Sequence, residues 1–234
     1  MFFAAAITYD VKYNYVDWRT ADRSSAGIAP LPQDEPEAVV QVYAARTYNW
    51  RKYFAVHSWI ATKEKNADSY TVYQVVGFYL WSRGTALDIK KDIPDRRWYA
   101  AEPVLLKDLR GEKAEKAIEK IKTVVTDYPY AKEYHAYPGP NSNTFISYIL
   151  RQVPELDVDL PPTAIGKDFL GYDKFVDVAE SNTGWQIGYR GLIGLRLGKV
   201  EGLEINILGL NFGIDILRPA IKLPFVGRIG MERK

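Results

Sequence analysis

Alternating apolar and polar positions mark three strands in the first third of the chain. We predict strands at residues 38–46, 53–62 and 69–80, because β-branched and aromatic residues dominate each run. A turn-forming stretch, KEKNAD, separates the second and third strands, so we expect them to form a hairpin. Alternate residues of the second strand then share one face, namely Tyr53, Ala55, His57, Trp59 and Ala61.

A helical period replaces this alternation further along the chain. Apolar residues recur at helical spacing between residues 108 and 125, and lysine and glutamate occupy the opposite face. A second, shorter helix is predicted for residues 144–152, and Pro154 ends it. The chain therefore combines a sheet with one long amphipathic helix and one short helix.

The chain becomes rich in glycine from Trp185 onward. Glycine at this density disfavours helices and favours strands with bulges and tight turns. Leu203 and Ile205 alternate with polar residues, and the apolar set changes parity afterwards, which predicts a bulge or reversal near residues 207–208. So apolar a sheet would suit a membrane surface, but packing on the domain is the favoured interpretation.

These patterns predict an α+β protein built on an antiparallel sheet, with a Gly-rich β region at the C-terminus. We divide it into an irregular N-terminal arm (residues 1–37), a core (38–170) and a β appendage packed on that core (171–234). The first residues, MFFAAAI, are apolar but too few to span a membrane. They are either a first strand or buried arm, or the remnant of a longer anchor or signal.

Composition excludes several classes of function. Lysine and arginine number 31 against 29 aspartate and glutamate, without a long basic run, which argues against a nucleic-acid binder. The absence of cysteine excludes a disulfide and a thiolate nucleophile, and the two histidines show no metal-ligand spacing. We therefore predict neither a cofactor nor a metal. Five tryptophans could line a groove or pack as core, namely Trp18, Trp50, Trp59, Trp81 and Trp98.

One candidate site stands out, at Ser142. This serine follows a Pro-Gly-Pro turn and precedes a helix, so free N–H groups and the positive end of the helix dipole point at it. Asn141 and Asn143 flank it and could support an oxyanion. The same run is a good capping signal, which is the structural alternative for Ser142. His57 is the candidate base, and His135, in a turn-rich segment, is the weaker one.

The run NSNTFISYILR resembles the N-C-x-x-F element of circularly permuted papain-like proteins, which include the lecithin:retinol acyltransferase type and bacterial relatives of the NlpC peptidases. In that group a strand histidine precedes the helix-capping cysteine. The resemblance implies that Ser142 takes the cysteine position and His57 the base position. It also implies a polar group on the adjacent strand that orients the imidazole, for which Tyr70, Tyr73 and Gln74 are the candidates.

A serine hydroxyl does not ionise as a thiol does, so it needs a well-aligned general base during attack. A serine in a thiol scaffold therefore indicates either a rebuilt Ser-His enzyme or a site that lost its chemistry and kept a groove. The leading hypothesis is a hydrolase or acyltransferase acting on an amide or ester, with the oxyanion held by backbone N–H groups near Asn143. The alternative is a catalytically inactive module that binds a peptide, glycan or lipid.

The chain also resembles an uncharacterised bacterial family known as a domain of unknown function. The runs DWRTADRSSAGIAP, HSWIATK, PDRRWYA, YPGPNSNTF and LPPTAIGKDF carry this resemblance, which extends over nearly the entire chain. It implies no activity. We expect a bacterial cell-envelope protein rather than a cytoplasmic one, with possible membrane-surface contact through the N-terminus or the C-terminal sheet.

Overall fold

Residues 16–231 are described by a computed structural model, and they form two β-sheets and three α-helices. The first sheet contains β1 (Val39–Arg46), β2 (Val56–Lys63), β3 (Thr71–Val75), β4 (Leu87–Lys91) and β5 (Pro103–Arg110). The second contains β6 (Val176–Val178), β7 (Gly184–Tyr189), β8 (Ile193–Gly198), β9 (Gly202–Ile207), β10 (Leu210–Asp215), β11 (Ala220–Leu223) and β12 (Gly227–Gly230). The helices are α1 (Phe78–Arg83), α2 (Glu112–Thr126) and α3 (Ser142–Gln152).

The two sheets differ in topology. The five strands of the first lie in the order β4-β3-β2-β1-β5, whereas the second is a meander in the order β12-β11-β10-β9-β8-β7-β6. Neighbouring strands are antiparallel in both sheets. This confirms the predicted α+β class. The apolar run MFFAAAI lies outside the described residues.

The five-stranded sheet is covered on both faces. One face packs against α2 and α3, where Val40, Ile60 and Phe145 belong to one buried cluster. The opposite face, with Tyr43 and Trp59, is covered by parts of the N-terminal arm and by the segment that follows β4. Both faces of β1 and β2 are therefore covered, and every residue of the two strands except Arg46 is buried.

Several element boundaries differ from the sequence prediction. The second strand begins at Val56 instead of residue 53, because residues 49–53 form a 3-10 helix. The third strand ends at Val75 instead of residue 80, because Gly77 lies against the ring of Tyr134, where an added Cβ would stand 2.5 Å from a ring carbon. The chain turns there into α1, whose Trp81 is 92% exposed. The long helix begins at Glu112 instead of residue 108, because residues 103–110 pair with β1 as β5. Its predicted apolar face is buried.

The reversal predicted near residues 207–208 is a tight turn between β9 and β10. Leu208 and Gly209 both have positive φ, 52° and 73°, which is the geometry of a type I′ hairpin turn. Asn206 supports the turn, because its side-chain oxygen accepts a hydrogen bond from the backbone N–H of Gly209 at 2.9 Å. The parity change in the sequence therefore marks this turn.

The side of the seven-stranded sheet that contacts the rest of the chain is polar. Lys167 donates to Glu204 at 2.8 Å, and Arg196 donates to Asp168 at 2.7 Å and to Glu204 at 3.2 Å. Lys222 pairs with Asp159 and Glu204. We call the following buried residues the ion cluster: Asp159, Lys167, Asp168, Glu180, Arg196, Glu204 and Lys222.

The other side of this sheet is apolar and exposed. We call its exposed members the apolar face, namely Trp185, Ile187, Tyr189, Ile193, Leu195, Leu197, Ile205, Ile207, Phe212, Ile214, Ile221 and Ile229. The sheet thus contacts the domain through its polar rows, and its apolar rows point away. Within residues 16–231, no helix combines the length and apolarity needed to cross a membrane.

Candidate active site

A cleft of about 710 Å³ lies where β2 begins and α3 begins. His57 and Ser142 both line it, together with residues from the β1–β2 connection, from α1 and from the segment before α3. Three of the tryptophans considered as groove residues, Trp50, Trp81 and Trp98, belong to its wall. The structure therefore brings the candidate nucleophile and the candidate base to one aromatic-walled cavity.

The cap of α3 is Asn141. Its side-chain oxygen accepts hydrogen bonds from the backbone N–H groups of Asn143 (2.9 Å) and Thr144 (3.2 Å), and the Thr144 hydroxyl accepts from the backbone N–H of Asn141. This is a complete capping box. Gly166 lies so close that a Cβ there would stand 2.3 Å from the Asn141 amide nitrogen. Capping is thus performed by the residue before Ser142.

Ser142 is the first residue of α3, and only 4% of its surface is exposed. Among residues 16–231, neither its hydroxyl nor its backbone N–H has a hydrogen-bond partner. The positive end of the α3 dipole lies at this position. The structural alternative for Ser142, a helix cap, therefore does not describe its side chain.

Asn143 does not support an oxyanion through its side chain. Its amide oxygen accepts from the Ser58 hydroxyl at 2.8 Å, and its amide nitrogen donates to the carbonyls of Val56 (3.0 Å) and Ile165 (2.8 Å). The backbone N–H groups of Asn143 and Thr144 are engaged by the cap. The unengaged donor at this helix start is the backbone N–H of Ser142 itself.

His57 is held by a chain of hydrogen bonds across three strands. Its Nε2 lies 2.9 Å from Oε1 of Gln74, and Nε2 of Gln74 donates to Asp88 at 3.0 Å. Asp88 in turn accepts from Arg83 at 3.0 Å. An ionised carboxylate only accepts, so the Gln74 nitrogen faces Asp88 and its oxygen faces His57. This arrangement assigns the proton to Nε2 of His57 and leaves the Nδ1 lone pair as the basic position.

The surroundings of His57 keep the ring neutral. It stacks on Trp98 with ring centroids 3.6 Å apart, and 4% of the residue is exposed. Burial lowers the pKa of His57 to about 4, and the hydrogen bond with Gln74 opposes this shift. At neutral pH the imidazole is therefore uncharged.

His57 and Ser142 are not hydrogen-bonded to each other in the described part of the chain. Ser58 points towards α3 and contacts Asn143, so its neighbour His57 points to the opposite face of β2, where Trp98 lies. Both residues nevertheless line the cleft, which lies at the start of β2.

Tyr70 and Tyr73 are placed away from the imidazole. The Tyr70 hydroxyl donates to the carbonyl of Pro30 at 3.0 Å. Tyr73 pairs opposite Ile60 and belongs to the cluster beneath the helices. Gln74 is therefore the candidate that contacts His57. His135 is exposed and bonds Glu133 at 2.9 Å.

Asp88 and the role of Trp98 as a stacking partner were missed from the sequence. Asp88 lies between the third predicted strand and the long helix, in a mostly polar stretch where it stands between Leu87 and Ile89, and this alternation is a weak strand signal. Within residues 16–231, no cluster of histidine and acidic side chains suitable for a metal ion occurs.

The chain belongs to a protein family of unknown function (DUF3750), whose model matches residues 37–169. This matched segment contains His57, Gln74, Asp88 and Ser142, whereas the apolar face lies beyond it. The match is shorter than the nearly complete resemblance expected from the sequence, because the run at residues 17–30 and the seven-stranded sheet fall outside it. No curated protein and no solved structure matches the chain.

Proposed function

We propose that this protein is a serine-dependent hydrolase or acyltransferase that acts on an ester or amide in the cleft. The observation that carries the proposal is the unengaged Ser142 hydroxyl at a helix start, in one cleft with a neutral, oriented His57. The order of His57 and Ser142 along the chain, as in circularly permuted papain-like proteins, supports the same assignment.

In the proposed reaction, Ser142 Oγ attacks the carbonyl carbon of the substrate and its proton passes to Nδ1 of His57. The backbone N–H of Ser142 and the positive end of α3 stabilise the negative oxygen that forms. The carbon–oxygen or carbon–nitrogen bond then breaks, and the leaving group takes the proton from His57. Water or a second alcohol or amine releases the acyl group from Ser142.

Gln74 and Asp88 act as positioning residues in this scheme. They fix the tautomer of His57, so that the nitrogen with the lone pair is available for proton transfer. The proposed proton transfer requires Ser142 and His57 to approach each other when substrate binds. Catalytic hydrogen bonds often tighten only in the complex with substrate.

A binding module in the same cleft is the second candidate. It is favoured by the missing hydrogen bond between Ser142 and His57, and by the aromatic wall formed by Trp50, Trp81 and Trp98. Such a wall would hold an acyl chain or a sugar ring by apolar contact.

A fluorophosphonate probe separates these candidates, because it forms a phosphorus–oxygen bond only with an activated serine hydroxyl and releases fluoride. We expect labelling of the wild-type chain, none of Ser142→Ala, and a rate at least roughly 100-fold lower for His57→Gln. Ser82→Ala is the matched control, since Ser82 is an exposed serine on α1. If the folded wild-type chain takes up no probe, the enzyme proposal is wrong and the binding module is favoured.

A further inference from the structure

The apolar face is the largest feature that the cleft does not explain. Its twelve side chains are each 41–64% exposed and form neighbouring rows on β7 to β12. Together they present on the order of 1,000 Å² of apolar surface, whereas the largest patch of an ordinary monomer is roughly 300–600 Å². A surface of this size marks a contact with another apolar phase.

The opposite side of the same strands fixes which rows point outward. Arg196, Glu204 and Lys222 alternate with the exposed residues, and all three are buried in the ion cluster. Turning the apolar rows inward would expose these paired charges and break the cluster. The apolar face is therefore a permanent surface of this sheet.

The exposed charges in the described turns that join β7 to β12 are positive. The outward rows of β7 to β12 carry no charged residue. At the strand ends, Arg190, Lys199 and Arg218 occupy turns and are exposed, whereas the acidic residues of the same strands and turns, such as Glu201 and Asp215, are buried. This distribution is complementary to negatively charged headgroups above a hydrocarbon layer.

Aromatic residues at one margin fit the same occupant. Tyr189 stacks on Phe175 with ring centroids 5.9 Å apart, and Trp185 lies on the same strand as Tyr189. Tryptophan and tyrosine are the side chains that prefer the boundary between headgroups and hydrocarbon. A second copy of the chain, by contrast, would bring identical cationic margins together.

We propose that the apolar face seats on the surface of an anionic lipid bilayer. Its side chains enter the boundary of the acyl chains, and Arg190, Lys199 and Arg218 contact headgroup phosphates. The cleft then lies beside the membrane, because two residues that line it contact the seven-stranded sheet. Gly209 in the β9–β10 turn lies against the ring of Tyr137, and Phe225 contacts Phe54 edge to face, with ring centroids 5.2 Å apart. The docking proposal is independent of catalysis in that cleft.

Vesicle flotation of the full chain tests this proposal. The vesicles are phosphatidylcholine alone, and phosphatidylcholine with phosphatidylglycerol in equal parts. We expect flotation with the anionic vesicles, and a partition coefficient at least roughly tenfold lower for the double variant Leu195→Gln/Ile205→Gln. These two residues are cross-strand partners at the centre of the face, and glutamine adds no charge.

The matched control is Val104→Gln, which changes a 61% exposed valine on β5, in the other sheet. We expect it to float as the wild type does, and both variants to keep the wild-type melting temperature. Equal flotation of the double variant and the wild type would overturn the proposal. The proposal would also be overturned if the wild type floated with neither kind of vesicle. This includes the case in which light scattering shows that the wild type is a dimer and the double variant a monomer.

Discussion

The two polar networks of this protein end differently. In the ion cluster each of the three cations faces acidic partners within the cluster. The series of hydrogen bonds from Arg83 through Asp88 and Gln74 instead ends at His57. This residue lines the cleft, and its Nδ1 has no hydrogen-bond partner among residues 16–231. Buried polarity by itself therefore does not identify a site. An unsatisfied end that opens on a cavity does, because a ligand can complete it.

The largest effect on stability should come from removing a charge from the ion cluster. We expect Glu204→Gln to lower the free energy of unfolding by about 3–5 kcal/mol, because Lys167, Arg196 and Lys222 lose a shared buried counter-charge. Urea denaturation measures this change. The control is Glu119→Gln, which breaks an exposed pair with Lys122 and should cost no more than about 1 kcal/mol. Similar losses of stability for the two variants would contradict the conclusion that the ion cluster is desolvated.

The network that ends at His57 should make the stability of the protein depend on pH. The pKa of His57 is about 4 in the fold and about 6.5 in the unfolded chain, so between these values the unfolded state binds more protons. Stability is thus fully present above pH 6.5 and falls with acidification, by about 1.4 kcal/mol per pH unit. Between pH 6.5 and 4.5 we expect a loss of about 2–3 kcal/mol by urea denaturation.

Glu204 of the ion cluster does not contribute in this pH window. Lysine and arginine neighbours hold the pKa of Glu204 well below its usual range, so its contribution is lost only at lower pH. We expect His57→Gln to flatten the slope between pH 6.5 and 4.5, and His135→Gln, which changes the exposed histidine, to retain it. An unchanged slope in His57→Gln would assign the effect to other groups.

The smallest effect separates the cap from the proposed nucleophile. Asn141→Ala removes a side chain that caps α3, so we expect a loss of about 1–2 kcal/mol in the free energy of unfolding. Ser142→Ala removes a hydroxyl without a partner, so we expect stability within about 0.5 kcal/mol of the wild type. Thermal and urea unfolding compare the two. A larger loss for Ser142→Ala would mean that its hydroxyl supports the fold.

The sequence predicted those elements in which the pattern of apolar residues along one strand or helix indicates the buried face. The strands β1 and β2 and the apolar face of α2 were predicted because packing on the core leaves a periodic pattern. The partner of His57 could not be chosen in this way. Gln74 faces the imidazole because of the register between β2 and β3, which pairs Ile60 with Tyr73, and register is a property of two strands.

The seven-stranded sheet shows the limit of reasoning from hydrophobicity. Its strands and the reversal after Ile207 were predicted from the sequence. The rule that apolar residues point inward fails here, because the apolar rows face away from the rest of the chain. The available clue was electrostatic. Arg196 and Glu204 are opposite in charge and are register partners on β8 and β9, which is typical of a buried pair.

The ion cluster extends across the end of the segment that the family model matches. The family match ends at residue 169, yet Lys167 and Asp168 find their counter-ions on β9 and β8. The end of the matched segment is therefore not a border between independently stable units. Without an acid and a base on the strands that follow, this lysine and this aspartate would remain as unpaired buried charges. Lys167 and Asp168 therefore select the sheet that packs on the core, because only a sheet with the reciprocal charges can pair with them.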